Sequence, residues 1–294
     1  GWVISDESFF GGNEGTVNFL KLRGSYGVLG NDQIPNNGYV SQLNGEATYI
    51  FNNAITQGLA TGQIPNPDLK WEEAQKFDVG VDLKMFNNKV NIVADYFIDT
   101  RADLLIPSIP VSGILGTAAP GASAPTINAG SVRNSGIEFA IDYKTTFSNE
   151  LTMSLGYNVT FLQNEVTEVN NGTGFIEGGS FGVGQPAPSR MQVGKPLGYF
   201  YGYKTNGIFQ NQAEVDAAPS QIALGAEAQA GDIRYVDMNN DGVINTSDRT
   251  DIGSPIAAST MGFNMQFGYK NFDFVTYLFA SIGNDMVRNY ERSL

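Results

Sequence analysis

The stretch DMNNDGVINTSD (237–248) holds the residues best suited to a site. Asp237, Asn239, Asp241, Asn245 and Asp248 present oxygens at alternating positions, and Gly242 is sixth in the run. That is the pattern of a calcium loop, in which a glycine makes the sharp turn and hard oxygens gather around the ion. Asp237, Asn239 and Asp241 supply side-chain oxygens, Val243 its carbonyl, Asn245 a side chain or a bridging water, and Asp248 the closing carboxylate. Ca²⁺ suits such a set because it takes roughly six to eight oxygens in flexible geometry. Two features depart from an EF-hand: the twelfth residue is Asp rather than Glu, and convincing flanking helices are missing. The competing reading is a loop of Asx turns with no metal. The role expected for the ion is structural, pinning a long loop.

Three other stretches invite chemistry. GYFYGYKTNGIF (198–209) clusters Tyr199, Phe200, Tyr201 and Tyr203, which either stack on sugars or pack their loop; packing is the favoured reading. The glycine-rich GTGFIEGGSFGVG (172–184) lacks the Lys-Ser/Thr and helix of a phosphate loop, so a mobile loop is expected. Glu72 and Glu73 are adjacent, so on a strand they point to opposite faces and form no catalytic pair.

Composition removes whole classes. The chain has no cysteine and no histidine, which excludes disulfides, Ser-His-Asp triads, Cys-His pairs and histidine-ligated zinc within it. A net charge of -13 argues against nucleic acid and against docking on anionic lipid headgroups. No apolar run reaches the roughly 18 residues of a spanning helix, and no signal-peptide pattern is present. The opening GWVISDESFF reads as a strand end, which makes a fragment the expectation.

The elements around these stretches are hairpins. In FDVGVDLKMFNNKVNIVADYFID (77–99), apolar residues occupy every second position on both sides of Asn87-Asn88. A two-residue turn there opposes Met85 to Val90, Leu83 to Ile92, Val81 to Ala94 and Val79 to Tyr96. A three-residue turn at 148–150 opposes Phe147 to Leu151, Tyr143 to Leu155, Ile141 to Tyr157 and Phe139 to Val159. A third turn at Lys270-Asn271 opposes Tyr269 to Phe272, Phe267 to Phe274 and Phe263 to Leu278. The stretch 17–30 is a further strand, with Leu20, Leu22, Tyr26 and Val28 on one side and Lys21, Arg23 and Ser25 on the other. Asp78, Asp82, Asp95, Glu138 and Asp142 fall on the polar faces and are expected to line a wet interior. Tight turns alternate with long linkers at about 31–68, 103–130 and 163–258. Short turns at one sheet end and long loops at the other are the habit of outer-membrane barrels. The expected fold class is therefore all-β, an antiparallel transmembrane β-barrel segment. A soluble β-sandwich also alternates and remains the rival.

LKLRGSYGVLGN (20–31), NPDLKWEEAQKFDVGVDLKMFNNKVNIVADYFIDTRADLL (66–105), NAGSVRNSGIEFAIDYK (128–144), VGKPLGYFYGYKTNGIFQ (193–210) and GDIRYVDMNNDGVINTSDRTDIGSP (231–255) occur in that order. Together they resemble the SusC-like branch of TonB-dependent outer-membrane transporters. The resemblance implies a plugged barrel of roughly 22 strands, integral to the bacterial outer membrane, and no enzymatic activity. It implies TonB contacting an N-terminal region, a SusD-like surface lipoprotein as lid, and import of oligosaccharides or peptides. About eight strands are legible here, and the family's plug, TonB box and final strands have no counterpart, so residues 1–294 are expected to be one partial barrel domain. Two rivals stay open: a secreted calcium-stabilised β-sandwich that binds or adheres, and a carboxylate-based glycoside hydrolase, which needs neither His nor Cys.

Overall fold

The structure is a computed structural model; it describes residues 1–288 apart from 12–14, 35, 37, 42, 63, 108–124, 149 and 180–185. The strands in chain order are β1 (Trp2–Val3), β2 (Val17–Asn31), β3 (Leu43–Phe51), β4 (Ala54–Thr61), β5 (Glu72–Met85), β6 (Val90–Ala102), β7 (Leu105–Ile106), β8 (Ile127–Asn128), β9 (Gly130–Ser148) and β10 (Leu151–Val169). They continue with β11 (Phe175–Glu177), β12 (Ser189–Gln192), β13 (Tyr199–Tyr203), β14 (Thr205–Ile208), β15 (Ile233–Tyr235), β16 (Arg249–Gly253), β17 (Ser259–Tyr269) and β18 (Phe272–Ile282). A short α-helix, α1 (Gln212–Asp216), and a 3-10 turn (Ile222–Leu224) lie between β14 and β15.

The main sheet has eight strands in the order β1-β2-β5-β6-β9-β10-β17-β18, antiparallel at every pairing. The first hairpin has the expected register, from Met85 opposite Val90 to Val79 opposite Tyr96. Its turn takes positive φ at Phe86, Asn87 and Asn88. Asn18 of the neighbouring strand steadies it by accepting from the Asn87 amide at 2.7 Å. The third hairpin is also as expected, with Tyr269 opposite Phe272 and Phe263 opposite Leu278.

The second hairpin keeps its expected pairs from Tyr143–Leu155 to Phe139–Val159 but differs at the tip. Leu151 faces Ser148 rather than Phe147, and Thr152 faces Thr146. Phe147 is squeezed out as a bulge, the usual way an antiparallel ladder absorbs an extra residue.

Because side chains alternate, one face of the sheet collects Leu20, Val81, Ile92, Ile141, Leu155 and Met265, and the other collects Arg23, Asp82, Asp95, Asp142 and Asn264. The apolar face is left open: Phe77, Val79, Tyr96, Ile137 and Phe161 stay 43–53% exposed. Among the described residues no second sheet covers it, so the sandwich is overturned as a fold. The eleven residues from Ile137 to Phe147 match the roughly 9–11 a tilted strand needs to cross hydrocarbon. Just beyond Ile137, the ion pair Arg133–Glu165 (3.2 Å) places charge on the same face, where lipid tails must end.

β9 and β10 run 19 residues each, well past that band. The linker 163–258 is correspondingly not an irregular loop. It holds a second, four-stranded sheet, β11-β12-β13-β16, and the small β14-β15 pair. Linker 31–68 holds the β3-β4 hairpin, and within 103–130 the stretch 108–124 lies outside the described residues.

Candidate functional site

The inner wall is organised around one arginine. Arg23 on β2 reaches across β5 to Asp82 (3.0 Å) and on to Asp95 of β6 (2.8 Å). Gly80 makes this reach feasible: a Cβ there falls 1.8 Å from the Asp95 carboxylate and 3.0 Å from the Arg23 guanidinium. Glycine inside a strand marks such a close approach. Farther outward, Asp99 sits between Lys76 and Arg101, each at 3.6 Å. Gly156 plays the same part on β10, where a Cβ meets the Asn264 amide at 2.4 Å and the Asp142 carboxylate at 2.8 Å. A charged, hydrogen-bonded wall of this kind belongs beside water, which lipid cannot supply.

Where β9 and β10 project past the membrane band, their inward-facing Val132 and Val166 form a core with Met191 of β12. The four-stranded sheet therefore seats on the lumen side of the projection. Gly194 N donates to Val166 O (2.9 Å) and Leu197 N to the Asn164 side chain (2.7 Å), tying the two together. Within this outer module the Arg190 guanidinium lies 3.6 Å from the Tyr201 ring centre and 4.1 Å from that of Phe175, and its Nη2 pairs with Glu177 at 3.0 Å. Arg249 approaches Tyr201 at 4.7 Å and donates to the carbonyls of Ala187 and Tyr201. Tyr199 is buried, which raises its pKa, and its hydroxyl donates to Gln192. The aromatics of 199–203 thus pack the module, in line with the favoured reading. The glycine-rich 172–184 departs from the expected loop, since Phe175–Glu177 is an edge strand; residues 180–184 lie outside the described part.

The loop 237–248 is held by its own acids. Asp237 accepts from the amides of Asn240 (2.6 Å) and Gly242 (2.8 Å), and Asn239 accepts from Asp241 N (3.0 Å). Asp241 accepts from Val243 N at 2.9 Å. Gly242 has φ +83°, as its place in the pattern requires, and Asn240 shares the left-handed region at +60°. Asn245 caps the turn that follows by accepting from Ser247 N (2.8 Å). Asp248 is fully enclosed and accepts from Asn245 N and Met238 N, each at 2.8 Å. Ile244 is buried, and its amide reaches Ser220 O at 2.7 Å, anchoring the loop to the chain before β15. The six sequence-assigned residues therefore lie in one ordered turn system. Among the described residues no three carboxylates converge on a common point, so an ion here depends on Asn239, Asn245 and the Val243 carbonyl as well.

The amide of Asn245, then those of Met238 and Asn239, hold the Asp248 pKa below its ordinary 3.8. A depressed carboxylate stabilises the fold fully above that ordinary value and loses the contribution as pH falls through its lower folded value. Asp248→Asn is expected to flatten this acid-side loss, read as protease sensitivity of the 237–248 loop as the pH is lowered past the ordinary 3.8.

Sequence reasoning placed Asp82 and Asp95 on the wet face but missed Arg23 as their hub, Gly80 as the space beneath it, and Arg190. The glycine between Asp78 and Asp82 was the available signal for the first two. Nothing local marks Arg190, whose partners come from separate strands.

One face for lipid, one for water, tight turns at one end and folded loops at the other define a segment of a transmembrane antiparallel β-barrel. The family model described as TonB dependent receptor-like, beta-barrel matches residues 16–283, and the chain belongs to that family. It is 31% identical to TonB-dependent receptor P39 of Formosa agariphila over 99% of this chain and 29% of that protein. It is 27% identical to TonB-dependent receptor SusC of Bacteroides thetaiotaomicron, over 97% of this chain and 27% of that protein. The RagAB peptide importer in its open-open state shares the fold at TM-score 0.73 and 20% identity, over 96% of this chain and 28% of that one. The chain thus spans less than a third of the length of these proteins. It is part of an integral outer-membrane barrel of the SusC-like kind.

Proposed function

We propose that this chain is the wall and outer vestibule of an importer that takes up oligosaccharides or peptides. A SusD-like surface lipoprotein acts as its lid, and TonB supplies the work from the inner-membrane proton gradient through a region outside this chain. One observation carries the reading: a lipid-facing sheet has an ion-paired inner wall that leads outward to a folded module on the lumen side. The likeness to SusC supports outer-membrane import, and the likeness to a structure described as a peptide importer supports peptides as one cargo class. The relatives are named as receptors, which supports a role without covalent chemistry. Deleting the receptor in its native host is expected to abolish growth on its cargo as sole carbon or nitrogen source, with growth on monosaccharides and free amino acids intact. Unchanged growth and uptake on every oligosaccharide and peptide offered contradicts the assignment.

We propose further that Asp237, Asn239, Asp241, Val243, Asn245 and Asp248 hold a structural Ca²⁺. The hard-oxygen donor set fits this ion, and the loop is already ordered by its own hydrogen bonds. Occupied, the site adds positive charge beside the enclosed Asp248 carboxylate and stiffens the outer module. Asp237→Asn combined with Asp241→Asn is expected to remove about one calcium per receptor, measured by elemental analysis after dialysis against trace calcium. Chelation is expected to speed proteolysis of the 237–248 loop in the wild type and not in the double variant. Equal metal content in the two proteins removes the assignment.

A further inference from the structure

The wet face of the main sheet is divided in two. Its β2–β9 half carries Arg23, Asp82, Asp95, Glu138 and Asp142. Its β10–β18 half has no charged residue from Ser154 to Leu162, from Thr260 to Gln266 or from Val275 to Ser281. There Asn158 lies opposite Gly262, and Asn264 lies opposite both Gly156 and Tyr277. Phe279 lies opposite Gly262. Gly156 also faces Asp142, so all these side chains share the wet face. A Cβ at Gly262 falls 3.0 Å from the Asn158 amide, and one at Gly156 falls 2.4 Å from that of Asn264. Each amide therefore leans over the glycine of the next strand, and among the described residues neither is spent on a hydrogen bond. Tyr277 is 70% exposed and Phe279 77%. Their strand sends Phe274 and Leu278 to the lipid side, beside Phe267 and Phe263, so the two wet-side rings are no part of the hydrocarbon belt. Large exposed rings rimmed by polar groups mark a surface that binds something. A hollow of about 190 Å³ opens next to Asn158 and Thr160 and is also lined by Glu138.

We infer that this half of the wall is a track for an uncharged oligosaccharide: sugar rings lie on Tyr277 and Phe279, and their hydroxyls bond Asn158, Thr160 and Asn264. A sugar ring has an apolar C–H face, which the negative face of an aromatic ring attracts, and a rim of hydroxyls that each donate and accept. An amide offers a donor and an acceptor together, which suits that rim. Glu138 at the border accepts from a hydroxyl but repels a carboxylate, so acidic sugars are disfavoured. A peptide is the poorer match. An extended peptide is held through main-chain groups at a free strand edge, whereas β10 and β17 are each paired on both sides. Charged peptide termini also find no counter-charge on this half. The inference rests on the importer reading and narrows its cargo to neutral glycans.

The test uses the receptor extracted from outer membranes in detergent, with calorimetry as the readout. Maltoheptaose, laminariheptaose and mannohexaose are the uncharged probes, hexagalacturonate the charged one and trialanine the peptide. Saturable binding of at least one uncharged sugar is expected, and none of hexagalacturonate. Phe279→Ala and Tyr277→Ala are each expected to weaken that binding about tenfold or more, the loss of one buried ring contact. Phe279→Tyr keeps a ring and is expected to keep the affinity, and Phe274→Ala, on the lipid side of the same strand, is expected to leave it unchanged. Sugar affinity unchanged in both alanine variants on the wet face overturns the inference, as does an equal loss in Phe279→Tyr. Binding of trialanine or hexagalacturonate in place of the uncharged sugars also overturns it, and leaves the importer reading standing. Binding of no probe overturns it as well, and together with unaltered growth of the deletion strain removes the importer reading too.

Discussion

Gly80→Val is expected to damage the barrel wall severely. The new Cβ sits within 1.8 Å of the Asp95 carboxylate, so the Arg23–Asp95 pair must open. Asp95 is 11% exposed and Arg23 31%, so separating them leaves a largely enclosed charge without its partner. Breaking such a pair from one side costs about 3–5 kcal/mol, with the lower end fitting a wall partly open to water. The added methyls bring an overpacking cost of about 1–3 kcal/mol on the same atoms. Gly27→Ala on the neighbouring strand β2 is the control, because its Cβ meets nothing within 4 Å. Denaturant titration of the receptor in lipid vesicles is expected to show a large loss of stability for Gly80→Val and almost none for Gly27→Ala. Equal behaviour of the two means that the Arg23 hub does not brace the wall.

The second large effect separates the two faces. Ile141→Lys places an ammonium on the face shared by Ile92 and Tyr157, midway between the tight turn and the Arg133–Glu165 pair. A lysine facing the middle of the hydrocarbon costs about 2–4 kcal/mol. Asp142→Asn, one residue along and on the wet face, is expected to stay within about 0.5 kcal/mol of wild type. Vesicle unfolding titrations read both, and a similar small loss for the two sites argues against lipid on the Ile141 face.

Much of the wall was legible because alternation and turn chemistry are local. The pairs around Asn87-Asn88 follow from period two and from asparagine's tolerance of positive φ, and those around Lys270-Asn271 from period two, the left-handed residue there being Lys270. The tip at 148–150 was not, since the bulge at Phe147 depends on how the ladder relaxes and not on composition. The outer module was missed for a different reason. Its strands are three to five residues long, below the length at which periodicity speaks, and they are held by cross-strand contacts such as Arg190 on Tyr201. The acidic loop at 237–248 was legible in residue type and in the glycine's left-handed turn. That Asp248 is enclosed and spent on two amides was not, because it depends on the fold around it.

The most direct test places single nitroxide labels at Val81, Ile141 and Met265 and at Asp82, Asp142 and Gln266 in the receptor reconstituted in lipid. Collision with oxygen, which dissolves in hydrocarbon, is compared with collision with a water-soluble nickel chelate. Labels at Val81, Ile141 and Met265 are expected to favour oxygen, and labels at the three neighbouring positions to favour the chelate. Labels at Val81, Ile141 and Met265 that are shielded from both reagents would mean that protein, not lipid, covers that face, and the membrane wall would be wrong.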